Sequence, residues 1–368
     1  MISGRFGLAA LAVAAMAFAV GSAMLGRAAM VSAASCLPAG STGLTARVVA
    51  TNGQSVTGMV DATGCDIGVY VGPGVTDVSI AGAIVSGAHD HGIMIQDTSG
   101  ITVEDSIVTA NGANHHTGCE PPKVMTDCIN EDKALQLVGT SNVVVKHNWV
   151  TQNTADGGIG VFDDGPIPVG ALQPTSSTPV ASVGNQVVDN TVFGNLNGCG
   201  IVVAAYNPGG GVSQNVIEHN TVTGQVGVFP PAVGGIVVAA DSPHTSATDN
   251  IVAFNTINGT FLSGVIVHSN TPGDVVSGTS VLENTISNTG WGKAVGPSDG
   301  TAGVLVMGEV EPVTGTAVLL NRISNETYGV WLKNTAGWFI YTVGGSNVTT
   351  PVGGNPTPSS GGSAPPGQ

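Results

Sequence analysis

Residues 234–244 read GGIVVAADSPH: two glycines, a short apolar run, then an abrupt change to Asp241 and His244. Near copies recur as CGIVVAAYNPG from Cys199, SGVIVHSNTPG from Ser263 and AGVLVMGEVEP from Ala302. Aligned on the glycine and the run that follows, the chain also supplies GVYVGPG, GIMIQDTSG, ALQLVGTS, GIGVFDDG and GVWLKNTAG, with Ala134 replacing the glycine once. About nine such units follow one another, at spacings within or near the range of about 20 to 50 residues that marks stacked repeats. Within GIVVAAD, the two-residue period of a strand turns Ile236 and Val238 towards a core and Val237 and Ala239 outwards.

A second motif accompanies each unit: HNWV, DNTV, HNTV, FNTI, ENTI and NRIS. It places Asn148, Asn190, Asn220, Asn255, Asn284 and Asn321 at one position of successive units. In a solenoid these amides stack and can hydrogen-bond along the column, which is a structural role. The residues just beyond each strand behave differently. Gln96 and Asp97, then Phe162, Asp163 and Asp164, then Tyr206 and Asn207, Asp241 and His244, His268 and Asn270, and Glu309 and Glu311 change chemistry from coil to coil. A conserved scaffold with a variable stripe is the pattern expected of a binding face.

Composition agrees with this reading. The 368 residues include 55 glycines, and only 9% are charged, so the chain is apolar enough for a large core but poor in helix formers. Val, Ile and Thr beside Gly and Asn are the vocabulary of short strands and tight turns, so the expected class is all-β.

The repeated GIxV strand and NTV turn, over roughly residues 60–340, resemble the right-handed parallel β-helix proteins of the pectate-lyase-like superfamily, within it the group with NosD-like repeats. The resemblance implies a single-stranded right-handed parallel β-helix of about nine or more coils. Its members include polysaccharide lyases, glycoside hydrolases, epimerases, tailspikes and proteins without catalysis, so fold does not select function. The polygalacturonase-like hydrolases carry NTD, DD, GHG and RIK motifs, of which only Asp163 and Asp164 resemble one. The DPHD of alginate epimerases is matched in part by DSPH at Asp241–His244.

Residues 1–34 read as a secretory leader: Arg5 precedes an apolar run, and the small residues VSAAS follow. The solenoid is expected over 35–343, and a Gly, Pro, Ser and Thr-rich flexible tail over 344–368. Trp331, Trp338, Phe339 and Tyr341 are expected to cap the open end of the solenoid. The protein is therefore expected to be secreted or in the cell envelope. Contact with a membrane follows only if the leader stays uncleaved or Cys36 is lipidated. In an exported chain Cys36 can pair with Cys65 and Cys119 with Cys128, leaving Cys199 as a packed small residue.

Coils about 4.8 Å apart put stripe carboxylates two coils apart at roughly 9.6 Å, close to the separation used by inverting glycoside hydrolases. Asp163 or Asp164 with Asp241 is then the expected catalytic pair, with His268 tuning a proton. Tyr206, Asn207, His244, Asn270 and Glu309 are expected to bind substrate. The insertions at 110–133, 166–183, 223–234 and 287–302 would wall the groove. The net charge of −15, which becomes −17 once Arg5 and Arg27 leave with the leader, disfavours nucleic acid and acidic polymers. The expected partner is a neutral polysaccharide or cell-surface glycan, bound by a hydrolase or by a non-catalytic adhesion or structural protein, with lyase or epimerase chemistry as further alternatives. His89, Asp90 and His91, and His115 and His116, lack zinc spacing and read as exposed loop residues. No metal or cofactor is expected; Asp163 and Asp164 could hold Ca²⁺ with backbone carbonyls, but the regular calcium-binding repeats are missing.

Overall fold

The computed structural model describes residues 35–112, 133–154, 157–167, 176–196, 198–224, 234–290 and 302–355. The leader, Cys119 and Cys128, His115 and His116, and most of the four insertions lie outside these residues. The described chain is an all-β solenoid with three sheets running along its axis.

The coil beginning at Ile236 shows how sequence makes the turn of the solenoid. Ile236–Ala240 joins the long sheet, the turn over 241–245 leads to Ser246–Thr248, and Ile251–Ala253 and Thr256–Asn258 complete the circuit. Between these strands sit Asp249, Phe254 and Gly259, all with positive φ. Each is followed by a buried residue: Asn250, Asn255 and Thr260. A left-handed residue and then an inward polar side chain is thus the unit of each bend.

Successive coils pair in parallel and in register, Ile201 with Ile236 with Val265 with Val304. The long sheet has eleven parallel strands among the described residues, from Thr45–Val49 to Val348–Asn355, and one antiparallel strand, Leu37–Pro38, closing its N-terminal edge. A disulfide from Cys36 to Cys65 ties that closing segment to the first coils. Cys199 forms no disulfide among the described residues, and its Sγ accepts a hydrogen bond from the Gly234 N–H at 3.2 Å. Most of the glycines that open the repeats stand where no Cβ fits, although one coil accommodates Ala134 at that place. At Gly235 a Cβ would lie 2.4 Å from the Gly264 carbonyl oxygen and 2.6 Å from Ile257.

Ile236 and Val238 belong to the continuous aliphatic core. Val237 and Ala239 point to the other side of the sheet, yet they too are buried, in a second apolar cluster with Phe162, Val202, Ala204, Tyr206, Ile266 and Leu305. The outer face of the sheet is therefore packed over its middle coils, which alternation alone does not reveal.

The asparagines form hydrogen-bonded ladders. The backbone N–H of Asn190 donates to Asn220 Oδ1 at 2.9 Å, and Asn220 repeats this with Asn255. Each Nδ2 donates onward to the next Oδ1 and back to a carbonyl of the preceding coil, as Asn220 does to Val187 at 2.8 Å. The column runs from Asn148, which accepts from the Ser106 N–H, through Asn284 to Asn321. Two further buried columns share the design, Asn111–Asn153–Asn195 and Asn185–Asn215–Asn250. Glu326 takes the corresponding bend position of the first of these at its far end. Its Oε1 accepts from both the N–H and the hydroxyl of Thr289, while Oε2 is buried with no partner. Burial pushes this carboxyl up to about 7, against the Thr289 hydrogen bonds that favour the anion.

Two expectations change. Val348–Asn355 pairs with Glu326–Lys333 and continues the solenoid beyond residue 343, because backbone hydrogen bonds extend a sheet even where the side chains are small. The terminal aromatics are not a closed cap: Phe339 and Tyr341 are 62% and 58% exposed, only Trp338 packs on the core, and Trp331 stands on the outer face beside Tyr328.

Replacing Asn220 by Ala orphans the Asn190 N–H and the Val187 carbonyl in the interior, and should cost about 3 kcal/mol or more, at roughly 1–3 kcal/mol per unsatisfied buried group, read as a fall in the urea midpoint. A carboxyl held protonated in the fold stabilises it most below the unfolded pKa, and that contribution is lost as pH rises through the folded value. Thermal stability should therefore decline from pH 5 to pH 7.5, and Glu326→Gln, which keeps the acceptor, should decline less; calorimetry across that range measures both.

Candidate functional site

The stripe beyond the long-sheet strands divides into a buried half and an accessible half. In the buried half, Asp163 Oδ1 accepts the Tyr206 N–H at 2.7 Å and Oδ2 accepts the Asn207 N–H at 3.1 Å, fixing the turn of the next coil. That turn closes over it so tightly that a Cβ on Gly210 would fall 2.1 Å from Oδ2. Burial pushes Asp163 up to about 7 in spite of the two N–H donors. Asp164 is equally buried: Oδ1 accepts the Gly165 N–H at 2.7 Å and Oδ2 accepts Gln96 Nε2 at 3.0 Å. Asn207 Oδ1 accepts the Ile167 N–H, and the Tyr206 ring lies 5.7 Å from Phe162 inside the outer apolar cluster. These four residues are thus buried and held by the scaffold, not open on the face as their place at the strand ends leads one to expect. The acidic turn DDG looks the same in sequence whether it is solvated or lies under the next coil.

The accessible half is built from the strand ends of later coils. Ala239, His268, Met307 and Lys333 are register partners on the outer face. Asp241, Asn270 and Glu309 follow the paired residues Ala240, Ser269 and Gly308, and so form a second row beside the first. Asn270 Nδ2 donates to Asp241 Oδ1 at 2.5 Å, which leaves its Oδ1 facing His268 Nδ1 at 2.9 Å. With the amide oriented in this way, Nδ1 carries the proton, and in the neutral ring Nε2 is an acceptor. Asp241 Oδ1 is also 3.6 Å from His268 Nδ1; the two side chains are 17% and 14% exposed. One coil further, Lys333 Nζ donates to both carboxylate oxygens of Glu309 at 2.9 and 3.0 Å. Trp331, two residues before Lys333, adds an aromatic surface on the same face. The row thus offers acceptors, donors and apolar surface together.

His244 lies apart from this row. It is exposed at the turn, with its ring against Gly273, where a Cβ would meet Nδ1 at 2.1 Å. Glu311 serves the same turn region by accepting the Gly273 N–H. His91 is buried, with Nδ1 2.9 Å from the Lys133 carbonyl, rather than exposed in a loop. No group of three or more His, Cys, Asp or Glu among the described residues could hold a metal ion. The sequence singles out no role for Lys333 and suggests only an end cap for Trp331. Aligning GVWLK with GVIVH would have found the first, since Lys333 occupies the position of His268.

The fold is similar to that of PfbA, a surface adhesin of Streptococcus pneumoniae, at 11% identity over 82% of this chain and 70% of that one, with a TM-score of 0.50. It is also similar to the A-module of the mannuronan C-5 epimerase AlgE4 of Azotobacter vinelandii, at 12% identity, 84% and 91% coverage and a TM-score of 0.33. An alginate lyase of Paenibacillus sp. str. FPU-7 matches at 14% identity, 75% and 91% coverage and a TM-score of 0.39. At these identities the likeness concerns fold alone. No curated protein sequence matches the chain. The family model for the right handed beta helix region matches residues 67–252, half of the chain, within the stacked coils described above. The chain belongs to the right-handed β-helix region family.

Proposed function

We propose that the protein is an extracellular β-helix that binds an uncharged glycan along the C-terminal half of its outer face. The observation that carries this reading is the hydrogen-bonded row Asp241–Asn270–His268, partly exposed beside Glu309, Lys333 and Trp331. A sugar presents hydroxyls that both donate and accept, and an apolar ring face. It is recognised by a few placed polar groups next to an aromatic surface. The Lys333 charge is matched by Glu309, so the face offers no surplus cation to an acidic polymer in a chain of net charge −15. The Cys36–Cys65 disulfide supports an oxidising compartment.

A second reading, hydrolysis, is favoured by one feature. Asp241 and Glu309 stand in the same row two coils apart, roughly 9.6 Å at the usual strand spacing, near the upper end of the inverting range. In that reading Glu309 activates water and Asp241 protonates the leaving oxygen. Asp163 and Asp164 take no part in either.

Affinity electrophoresis against neutral and acidic polysaccharides, with mass spectrometry of the soluble fraction, separates the readings. Retention on a neutral polymer is expected, weakened tenfold or more by Asp241→Ala or His268→Ala at unchanged melting temperature. Retention on none, or retention indifferent to both substitutions, overturns the proposal. Shorter sugars carrying added water, lost in both Asp241→Asn and Glu309→Gln, replace binding with hydrolysis.

A further inference from the structure

The N-terminal half of the outer face carries a polar cluster that plays no part in the glycan row. Tyr70 donates its hydroxyl to Gln96 Oε1 at 2.7 Å, and Gln96 Nε2 donates to Asp164 Oδ2 at 3.0 Å. Asp97 and Asp164 flank Gly139 of the intervening coil, which has no Cβ to hold them apart. A Cβ there would stand 2.3 Å from Asp97 Oδ1 and 2.9 Å from Asp164 Cβ. Asp97 Oδ1 is buried without a partner. Asp164 also anchors the base of the insertion that follows it: its N–H and C=O exchange hydrogen bonds with Val180 at 2.9 and 2.8 Å.

We infer that Asp97 holds its proton against the Asp164 carboxyl and that the two form a pH-sensitive stitch between coils two apart, intact while Asp97 is protonated and opened at the Asp164–Val180 pairing when that proton is lost. Two carboxylates in such contact cannot both ionise without strong repulsion. Burial first, and then the Asp164 charge and hydrogen bond, hold Asp97 protonated well above the usual carboxylate range. The same burial and the same two carboxyls raise the Tyr70 hydroxyl, which therefore stays a neutral donor. Two other charged groups lie nearby: the Asp163 carboxylate serves the following turn, and Lys133 is buried with its methylene chain over Gly160. Because the folded pKa is raised, the stitch contributes below it and its contribution disappears as pH rises through it.

Hydrogen exchange of the full chain between pH 6 and pH 9, corrected for intrinsic rates, tests the stitch. Protection of the Asp164 and Val180 amides should fall about tenfold or more over that range, while the ladder amides of Asn190 and Asn220 keep theirs. In Asp97→Asn the amide donates to Asp164 without a titrating proton, and the left-handed backbone at position 97 suits asparagine, so protection should stay level. Asp164→Asn should flatten the same curve from the other side of the pair. Equal pH profiles in wild type and Asp97→Asn overturn the inference. Restoration of wild-type protection at pH 9 by 1 mM Ca²⁺ also overturns it, since a cation and not a proton would then join the pair.

Discussion

A backbone N–H that turns inward at a bend has no strand to pair with, and a buried donor left alone costs as much as the bend can gain. Every coil of this solenoid bends several times, so its existence depends on an acceptor that arrives from the neighbouring coil at the right height. The asparagine amide provides one. It is short enough to stay inside the bend, and it carries an acceptor for the coil below together with donors for its own strand and the next amide. The left-handed residue before it turns the chain; the asparagine makes that turn tolerable inside a core of Val and Ile. Parallel register then follows, since the amides hydrogen-bond only when successive coils stand directly above one another.

That constraint also determines where chemistry can sit. Inside the coils the polar residues at the bends are committed to their neighbours, as Asp163 is to the Tyr206 turn and Glu326 Oε1 is to Thr289. Variable residues are tolerated at the strand ends, where side chains leave the sheet and no ladder depends on them. Asp241, His268, Asn270, Glu309 and Lys333 occupy such places, alongside the outer apolar cluster of Val237, Ile266 and Leu305.

The sequence is most legible where one letter does one job. The Asn148 to Asn321 column and the opening glycines repeat, and their repetition alone led to the solenoid. The Asn111 and Asn185 columns were harder to see because Thr260, Thr279, Thr316 and Glu326 occupy later bends in the same places. Burial of Asp163 was not legible, because it depends on Asn207 and Gly210 in a coil more than 40 residues away, and that of Asp164 was not, because its partner Gln96 lies 68 residues before it. The strand Val348–Asn355 was hidden by composition: its Gly and Thr residues resemble a linker until a neighbouring edge gives their backbone something to pair with. The row around His268 was found in part, since its polar residues differ from coil to coil while its register is fixed by the strands beneath.

The antiparallel segment and disulfide at one end give the solenoid a mechanical direction. Coils touch chiefly their immediate neighbours, so separation under load proceeds from whichever end is least fastened. The Cys36–Cys65 bond resists at the first coils, whereas the strands over 339–355 are held by hydrogen bonds and little buried surface. Pulled from its C-terminus, the chain would peel coil by coil from that end, and the coils bearing Lys333 and Glu309 would be among the first to leave.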